Sequence, residues 1–408
     1  MNYINYLYNL NPNKIKLGLE RTFKLLAACD NPHNNLEIIQ IVGTNGKGSV
    51  TAMLNHVFSS NGYRTGMFTS PHLVIMNERI RVNYNTIQDS DIVEFISTHK
   101  KNIDDIGASF FEVITVMALW YFKKHKVDIV FLETGLGGIF DSTTACKAKG
   151  LLVTSISKDH EHILGKTIKK IIKNKLGAIT QHTEFIISGN QNHYKKKIMN
   201  DEAKFKNQKI IYVDKPPIDF SNNIFQHLKG KFQYENGALA YYAAKHIAKQ
   251  LQLKINNEAL LDCILSTYWP GRMQILQSCP TIIYDVCHNQ AGVQQCIEYI
   301  TTQNAKYRKT YLLLAFEQTK NIDKKLKNLI SYFDKTIIAE TNIKNSRNAN
   351  ELMQYLNLPQ VFVEKKIDRA LNDNIKSLNN RDMLLIIGSH YIGPYINKIF
   401  KNCFGKKP

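Results

Sequence analysis

From residue 36 to about 190, short apolar runs alternate with segments whose apolar positions recur every three to four residues, the two periods that separate strand from helix. The runs at 36–42, 65–68, 127–132, 151–155 and 185–188 read as strands. Between them, Val113, Val116, Met117, Leu119 and Trp120 mark a helix over 111–123, and Ile168, Ile171, Ile172 and Leu176 mark another over 167–177. Apolar strands that alternate with helices predict a parallel sheet covered on both faces. Residues 190–230 break this rhythm, mixing lysines with Pro216-Pro217, and read as a small elaboration before a helix over 235–251. A Pro/Gly break at Tyr268-Trp269-Pro270-Gly271-Arg272 precedes a second alternating series, with strands at 281–285, 311–315, 336–339 and 383–387. The expected fold is α/β in two parts. A mostly parallel sheet with helices on both faces spans residues 1–274, and a smaller Rossmann-like α/β domain spans 275–408.

Composition narrows the class. The chain has 408 residues, 44% of them hydrophobic and 10% aromatic, enough to bury two cores. No apolar run approaches the roughly 20 residues that cross a bilayer, so no membrane partner is expected and the protein is placed in the cytoplasm. Seven cysteines without a Cys-x-x-Cys pair fit reduced thiols better than a disulfide framework or a zinc site. The formal charge of +19 is spread along the chain in short lysine runs, with no basic tract and no interleaved aromatics. It reads as solvated surface charge, with some steering of anionic substrates and no specific nucleic-acid partner.

The candidate chemistry begins at Gly43-Thr44-Asn45-Gly46-Lys47-Gly48-Ser49, between the first strand and a helical pattern carried by Val50, Met53, Leu54, Val57 and Phe58. A buried strand, a glycine-rich turn and a helix start aim backbone N–H groups and a positive dipole end at one spot, which suits a nucleoside triphosphate. Thr44, Asn45, Gly46, Lys47, Gly48 and Ser49 are the expected ATP contacts. Lys47 neutralises phosphate charge and Ser49 faces the accompanying Mg²⁺. Gly48 separates the lysine from the hydroxyl residue that follows it directly in the common phosphate loop. Ser70 closes the second strand, and Glu133 ends the third before Thr134-Gly135-Leu136-Gly137-Gly138. A hydroxyl and a carboxylate at the carboxyl ends of parallel strands lie where such sheets bind ligands, and both suit Mg²⁺.

The loop Gly-Thr-Asn-Gly-Lys-Gly-Ser resembles that of the Mur ligase superfamily, and particularly of its folylpolyglutamate synthase and dihydrofolate synthase family. Segments at 18–21, 69–73, 77–80, 133–138, 140–143, 159–165, 173–177, 230–236, 269–274, 285–290 and 388–391 resemble family segments in the same order. Departures are present too: Ile139 stands for arginine, Thr144 for asparagine, Asn174 for glutamate, Leu176 for alanine, Phe232 for histidine, Cys287 for alanine and Gln290 for proline.

The resemblance implies an ATP-dependent amide ligase that activates a carboxylate as an acyl phosphate and transfers it to the α-amine of L-glutamate. It implies ATP as co-substrate, two Mg²⁺ ions, and a carbamylated Lys175 whose anionic oxygens serve the second ion. Lys47, His160 and Lys175 are then the catalytic group, with Ser70, Glu133 and His160 as metal ligands. Asn236, Arg272 and Asp285 join the loop in holding ATP; Phe111, Glu112 and Asp141 meet the folate or pteroate; His288 and Ser389 meet glutamate. The favoured substrate range is bifunctional, dihydropteroate and folates, with a monofunctional folylpolyglutamate synthase as the alternative. A peptidoglycan-precursor Mur ligase is disfavoured because only 42 residues precede Gly43. A non-catalytic, polyanion-binding protein on a degenerate scaffold is disfavoured by the joint presence of Lys47, Glu133, His160, Lys175, Arg272 and Asp285. A monomer with small-molecule partners is expected.

Overall fold

The computed structural model describes residues 3–10, 17–213, 225–318, 323–343 and 345–405; the Pro216-Pro217 elaboration lies outside them. The chain divides into two units. One comprises Met1–Ser157, Leu164–Asn222 and Glu235–Ile264, and the other Lys158–Ile163, Asn223–Tyr234 and Leu265–Pro408.

In the first unit the strands are β1 (Ile38–Val42), β2 (Thr65–Phe68), β3 (Ile80–Val82), β4 (Asn85–Thr86), β5 (Ile129–Glu133), β6 (Gly150–Val153), β7 (Phe185–Ser188) and β8 (Ile210–Tyr212). They form one sheet in the order β4-β3-β2-β5-β1-β6-β7-β8, parallel except for the antiparallel pairs β2/β3 and β3/β4. Ile39 of β1 lies between Phe131 of β5 and Gly150 of β6. Every residue of β1 and β5 is buried, as strands covered on both faces require. From β1 the chain first runs to β2 and β5 on one side, then to β6, β7 and β8 on the other. The carboxyl end of β1 is therefore the switch point at which open parallel sheets form their ligand crevice.

Three helices position that crevice: α1 (Lys47–Ser60), α2 (Phe110–Lys124) and α3 (Ile168–Leu176). α2 starts on a capping box, in which the Ser109 N–H donates to the Glu112 carboxylate (2.6 Å) while the Ser109 hydroxyl faces the Glu112 N–H. Val113, Ile114, Met117 and Phe122 of α2 pack with Phe68 and Leu132 of the sheet in the main core.

The second unit carries β9 (Gln274–Ser278), β10 (Thr281–Asp285), β11 (Thr310–Ala315), β12 (Lys335–Glu340), β13 (Val361–Lys366) and β14 (Met383–Gly388). Their order is β13-β12-β11-β14-β10-β9, parallel apart from the antiparallel β9/β10 pair. Helix α4 (Gln290–Gln303) buries Val293, Cys296 and Ile297 against Ile283, Leu312, Leu385 and Ile387. The loops after β10, β11 and β14 leave one end of this sheet, because the three strands are parallel and adjacent.

The two-part α/β fold agrees with the sequence reading, and the nine expected strands form within two residues of their expected bounds. β3, β4, β8, β9 and β13 were not expected. They lie at or next to sheet edges. β3, β4, β9 and β13 carry Arg81, Asn85, Gln274, Gln277, Glu364 and Lys365, so edge solvation interrupts the apolar run there, whereas β8 is apolar but only three residues long. Among the described residues, no helix is long and apolar enough to cross a membrane.

Candidate active site

The loop between β1 and α1 is fastened to the chain that follows β6. The Thr44 N–H donates to Ser155 O (2.7 Å), and its hydroxyl donates to Ser157 O (3.0 Å) while facing the Ser157 N–H at the same distance. The Ser155 hydroxyl donates to Asn45 O (3.2 Å). Gly46 has φ of 89°, and a Cβ there would stand 2.2 Å from Asn236 Oδ1. Only glycine lets the loop lie this close to Asn236. Gly48 and Ser49 then form the first turn of α1, so the N–H end of the helix opens directly onto the loop.

Two ammonium groups converge on the Gly43 carbonyl. Lys47 Nζ donates to Gly43 O (3.4 Å) and Thr44 O (3.3 Å), and stands 4.0 Å from Glu133 Oε1. Lys175 Nζ donates to the same Gly43 O at 2.5 Å, from a position only 4% exposed. It arrives there because Ile171, Ile172, Lys175 and Leu176 share the buried face of α3. Asn174 ties α3 to the glycine-rich turn, accepting from Gly138 N with Oδ1 (3.1 Å) and from Ile139 N with its carbonyl (3.0 Å).

Glu133 Oε2 accepts from the Ser70 N–H (3.2 Å), so the ends of β2 and β5 hold a hydroxyl and a carboxylate side by side. Arg79 fixes the first of these: its Nη1 donates to Ser70 Oγ (3.0 Å), and its Nε donates to His72 Nδ1 (2.8 Å). That nitrogen must be unprotonated to accept. Burial, reinforced by the Arg79 charge, pulls His72 down to about 3.

The residues expected at the folate or pteroate divide. Phe111 and Asp141 meet at Gly135, where a Cβ would stand 2.5 Å from Phe111 Cζ and 3.2 Å from Asp141 Oδ2. Asp141 accepts from Leu136 N (2.7 Å), Thr143 N (3.1 Å) and the Thr143 hydroxyl (2.6 Å). Burial pushes its carboxyl up, while these hydrogen bonds and Lys47 pull the other way. Glu112 pairs with Arg21 Nη2 (2.9 Å) and holds the α2 cap.

In the second unit, the buried Asp285 accepts from Met273 N and Cys287 N, each at 2.7 Å, and so closes the turn at Gly271-Arg272-Met273 onto the end of β10. Burial pushes its carboxyl up, against the pull of Arg272. Asp159 gathers three partners. It stands 3.8 Å from His160 Nε2 and 3.6 Å from His288 Nε2, and accepts from Asn289 Nδ2 at 3.0 Å. Ser389 caps the turn after β14 and donates to Glu317 Oε1 (3.4 Å).

Some of these participants carried no mark as site residues in the sequence. Arg79 and His72 lie in segments noted for their resemblance, but the contacts of Arg79 with Ser70 and with His72 have no local signature. Asp159 was visible only as the neighbour of His160. Gln40, whose amide donates to Thr134, Thr143 and Thr144 (3.0, 2.9 and 3.1 Å), shows only as a polar residue inside an apolar strand. That break in the run was the available signal.

Residues 271–390 match the family model of the Mur ligase glutamate ligase domain. Across 95% of this chain and 96% of its own length, a Bacillus subtilis (strain 168) protein named dihydrofolate synthase/folylpolyglutamate synthase is 28% identical. A solved structure of E. coli FolC in complex with DHPP and ADP superposes with a TM-score of 0.87 and 27% identity, covering 97% of this chain and 96% of that one. Over nearly its whole length the chain is thus similar to proteins named dihydrofolate synthase/folylpolyglutamate synthase. The fold is shared also by a bifunctional folylpolyglutamate synthase/dihydrofolate synthase from Yersinia pestis, complexed with AMPPNP and a Mn ion (TM-score 0.85, 23% identity, 97% of both chains).

Proposed function

We propose that this chain is an ATP-dependent ligase that joins L-glutamate to dihydropteroate and to folates through an acyl phosphate. The carrying observation is the convergence of Lys47 and Lys175 on the Gly43 carbonyl at the head of α1, beside Ser70 and Glu133. A carboxylate is a poor electrophile until one oxygen becomes a leaving group. Its oxygen takes the γ-phosphoryl of ATP, and ADP departs. The glutamate amine then attacks the carbonyl carbon, a C–N bond forms, and the C–O bond to phosphate breaks. Lys47 and the first-turn N–H groups of α1 stabilise the phosphoryl charge that develops in the first step.

Ser49, Ser70 and Glu133 supply the hard oxygen donors that suit Mg²⁺, which when bound neutralises the triphosphate. His160 is proposed as ligand of a second ion, supported by its segment's likeness to the family. Lys175 is proposed as carbamylated. A carbamate nitrogen keeps one N–H, enough for its bond to Gly43 O, and puts anionic oxygens at the loop. Thr44, Asn45, Gly46, Gly48, Asn236, Arg272 and Asp285 hold ATP in this reading, and His288 and Ser389 hold glutamate. Phe111 and Asp141 receive the pteroate at the Gly135 turn; Glu112 is assigned with them, its oxygens shared with Arg21 and the α2 cap. In this reading residues 1–274 form the ATP- and acceptor-binding domain and 275–408 the glutamate-ligase domain, with Asp285 of the latter also reaching ATP, in a monomer working in the cytoplasm.

Phosphate release, measured with ATP, L-glutamate and either dihydropteroate or tetrahydrofolate, tests this. Release that needs all three components, with either acceptor, supports the bifunctional reading, and release with tetrahydrofolate alone supports the monofunctional one. Release without glutamate, or none with either acceptor, overturns both.

A further inference from the structure

Two thiols stand together where the family pattern has alanine at the first of them. Cys287 lies in the loop after β10 and Cys296 nearly two turns into α4, with their sulfurs 3.2 Å apart. Gly292 brings them together. A Cβ at 292 would stand 2.8 Å from Cys287 Cβ, so the glycine lets the loop press onto α4, and Cys296 is the next residue along that face of the helix. The proposed ATP and glutamate ligands Asp285 and His288 flank Cys287 in sequence. The Cys287 N–H itself donates to Asp285 Oδ1 at 2.7 Å.

We propose that Cys287 and Cys296 form a reversible intramolecular disulfide, a modification site that tightens the Asp285–His288 loop onto α4 and slows the ligase. A small oxidant of the peroxide class suits it, since Cys287 is 9% exposed and Cys296 only 1%. The Cys287 sulfur, giving up its proton, attacks one peroxide oxygen; the O–O bond breaks, leaving a sulfenic acid and water. The Cys296 sulfur then attacks the Cys287 sulfur, the S–O bond breaks, and the thiol proton leaves with hydroxide as a second water. Peroxide is reduced and two thiols are oxidised. The mutual hydrogen bond, and then burial, hold the Cys287 thiol above its ordinary range; for Cys296 the same hydrogen bond pulls down but burial and the Asp285 charge leave it raised, so the reaction is slow. Closing the bond brings the sulfurs from 3.2 Å to about 2.05 Å, drawing the loop backbone away from Asp285.

The full-length protein is exposed to hydrogen peroxide, alkylated and digested, before and after treatment with a phosphine reductant. The expected product is a peptide pair joining Cys287 to Cys296, lighter by the two thiol hydrogens and separated again by the phosphine. Oxidation should lower phosphate release by about ten- to a hundredfold, because displacements near 1 Å carry costs of that order, and reduction should restore it. Cys296→Ala should show neither the linkage nor the reversible loss. Should that variant fold poorly, Cys296→Ser serves the same purpose. Both cysteines alkylated as separate thiols after peroxide would overturn the proposal. The mass readout does not depend on activity, so a linked peptide from a protein with no ligase activity would count against the proposed function and leave the disulfide standing.

Discussion

The loop after β1 in the first unit and the loop after β10 in the second occupy equivalent places, each at the carboxyl end of a buried parallel strand, yet they hold their charges differently. At Gly43, two ammonium groups rest on backbone carbonyls, and the nearest carboxylate oxygen stands 4.0 Å from Lys47. At Asp285, both carboxylate oxygens accept short backbone N–H bonds inside the protein. The first arrangement gathers two lysine side chains at the head of α1, and the second spends a carboxylate on shaping a turn. Chemistry concentrates at the former; positioning is the main work of the latter.

The largest effect should come from Lys47→Ala. Its interaction strengthens as phosphoryl charge develops, so turnover at saturating Mg-ATP should drop by about a thousandfold with the fold retained by circular dichroism. A near-normal rate would erase the contrast between the two loops. Lys175→Ala should cost about a hundredfold. Partial recovery with a small carboxylic acid, and a loss of wild-type activity in CO₂-depleted buffer, are expected of a carbamate; recovery with a small amine instead would mean that the ammonium itself is required.

These two lysines also show what was legible in the sequence. Lys47 announces itself, because a strand, a glycine-rich turn and a helix start lie within a dozen residues. Lys175 was legible only through resemblance: its contact is made 132 residues away, through the face of α3. The inner strands were readable from apolar runs, and the edge strands were not, since solvent takes the place of one neighbour. Arg79 and Arg21 hold Ser70 and Glu112 across loops and across 91 residues of chain, and no local pattern encodes such contacts.

On the positioning side, Asp285→Asn should act on stability as much as on rate. An amide can accept from only one of Met273 N and Cys287 N with its oxygen, and its NH₂ faces the other donor. A loss of about 1–3 kcal/mol by urea unfolding is expected. A neutral result would mean that the carboxylate does not organise the turn.

The smallest effects concern pH, and they separate the units by window. His72 sits at about 3 in the folded protein against 6.5 ordinarily, so the unfolded chain takes up the proton first and stability falls as pH drops from 6.5 toward 3. His72→Gln should remove that part of the slope. In the second unit, the hydrogen bonds from Arg308 hold Asp382 at about 2 against 3.8, so its contribution is lost only as pH falls below 3.8 toward about 2. Arg308→Ala should alter the profile only in that lower window. Equal responses of both variants near pH 6 would dissolve the distinction.

The central claim, that a carboxylate is activated by phosphoryl transfer at the Gly43 loop, is tested most directly by an isotope. Dihydropteroate carrying a heavy oxygen isotope in its carboxylate is turned over with ATP and glutamate, and the released phosphate is analysed by mass spectrometry. The account predicts one carboxylate oxygen in each phosphate, because that oxygen bridges carbon and phosphorus in the acyl phosphate and leaves with phosphorus. Phosphate free of the label, alongside amide product, would contradict it.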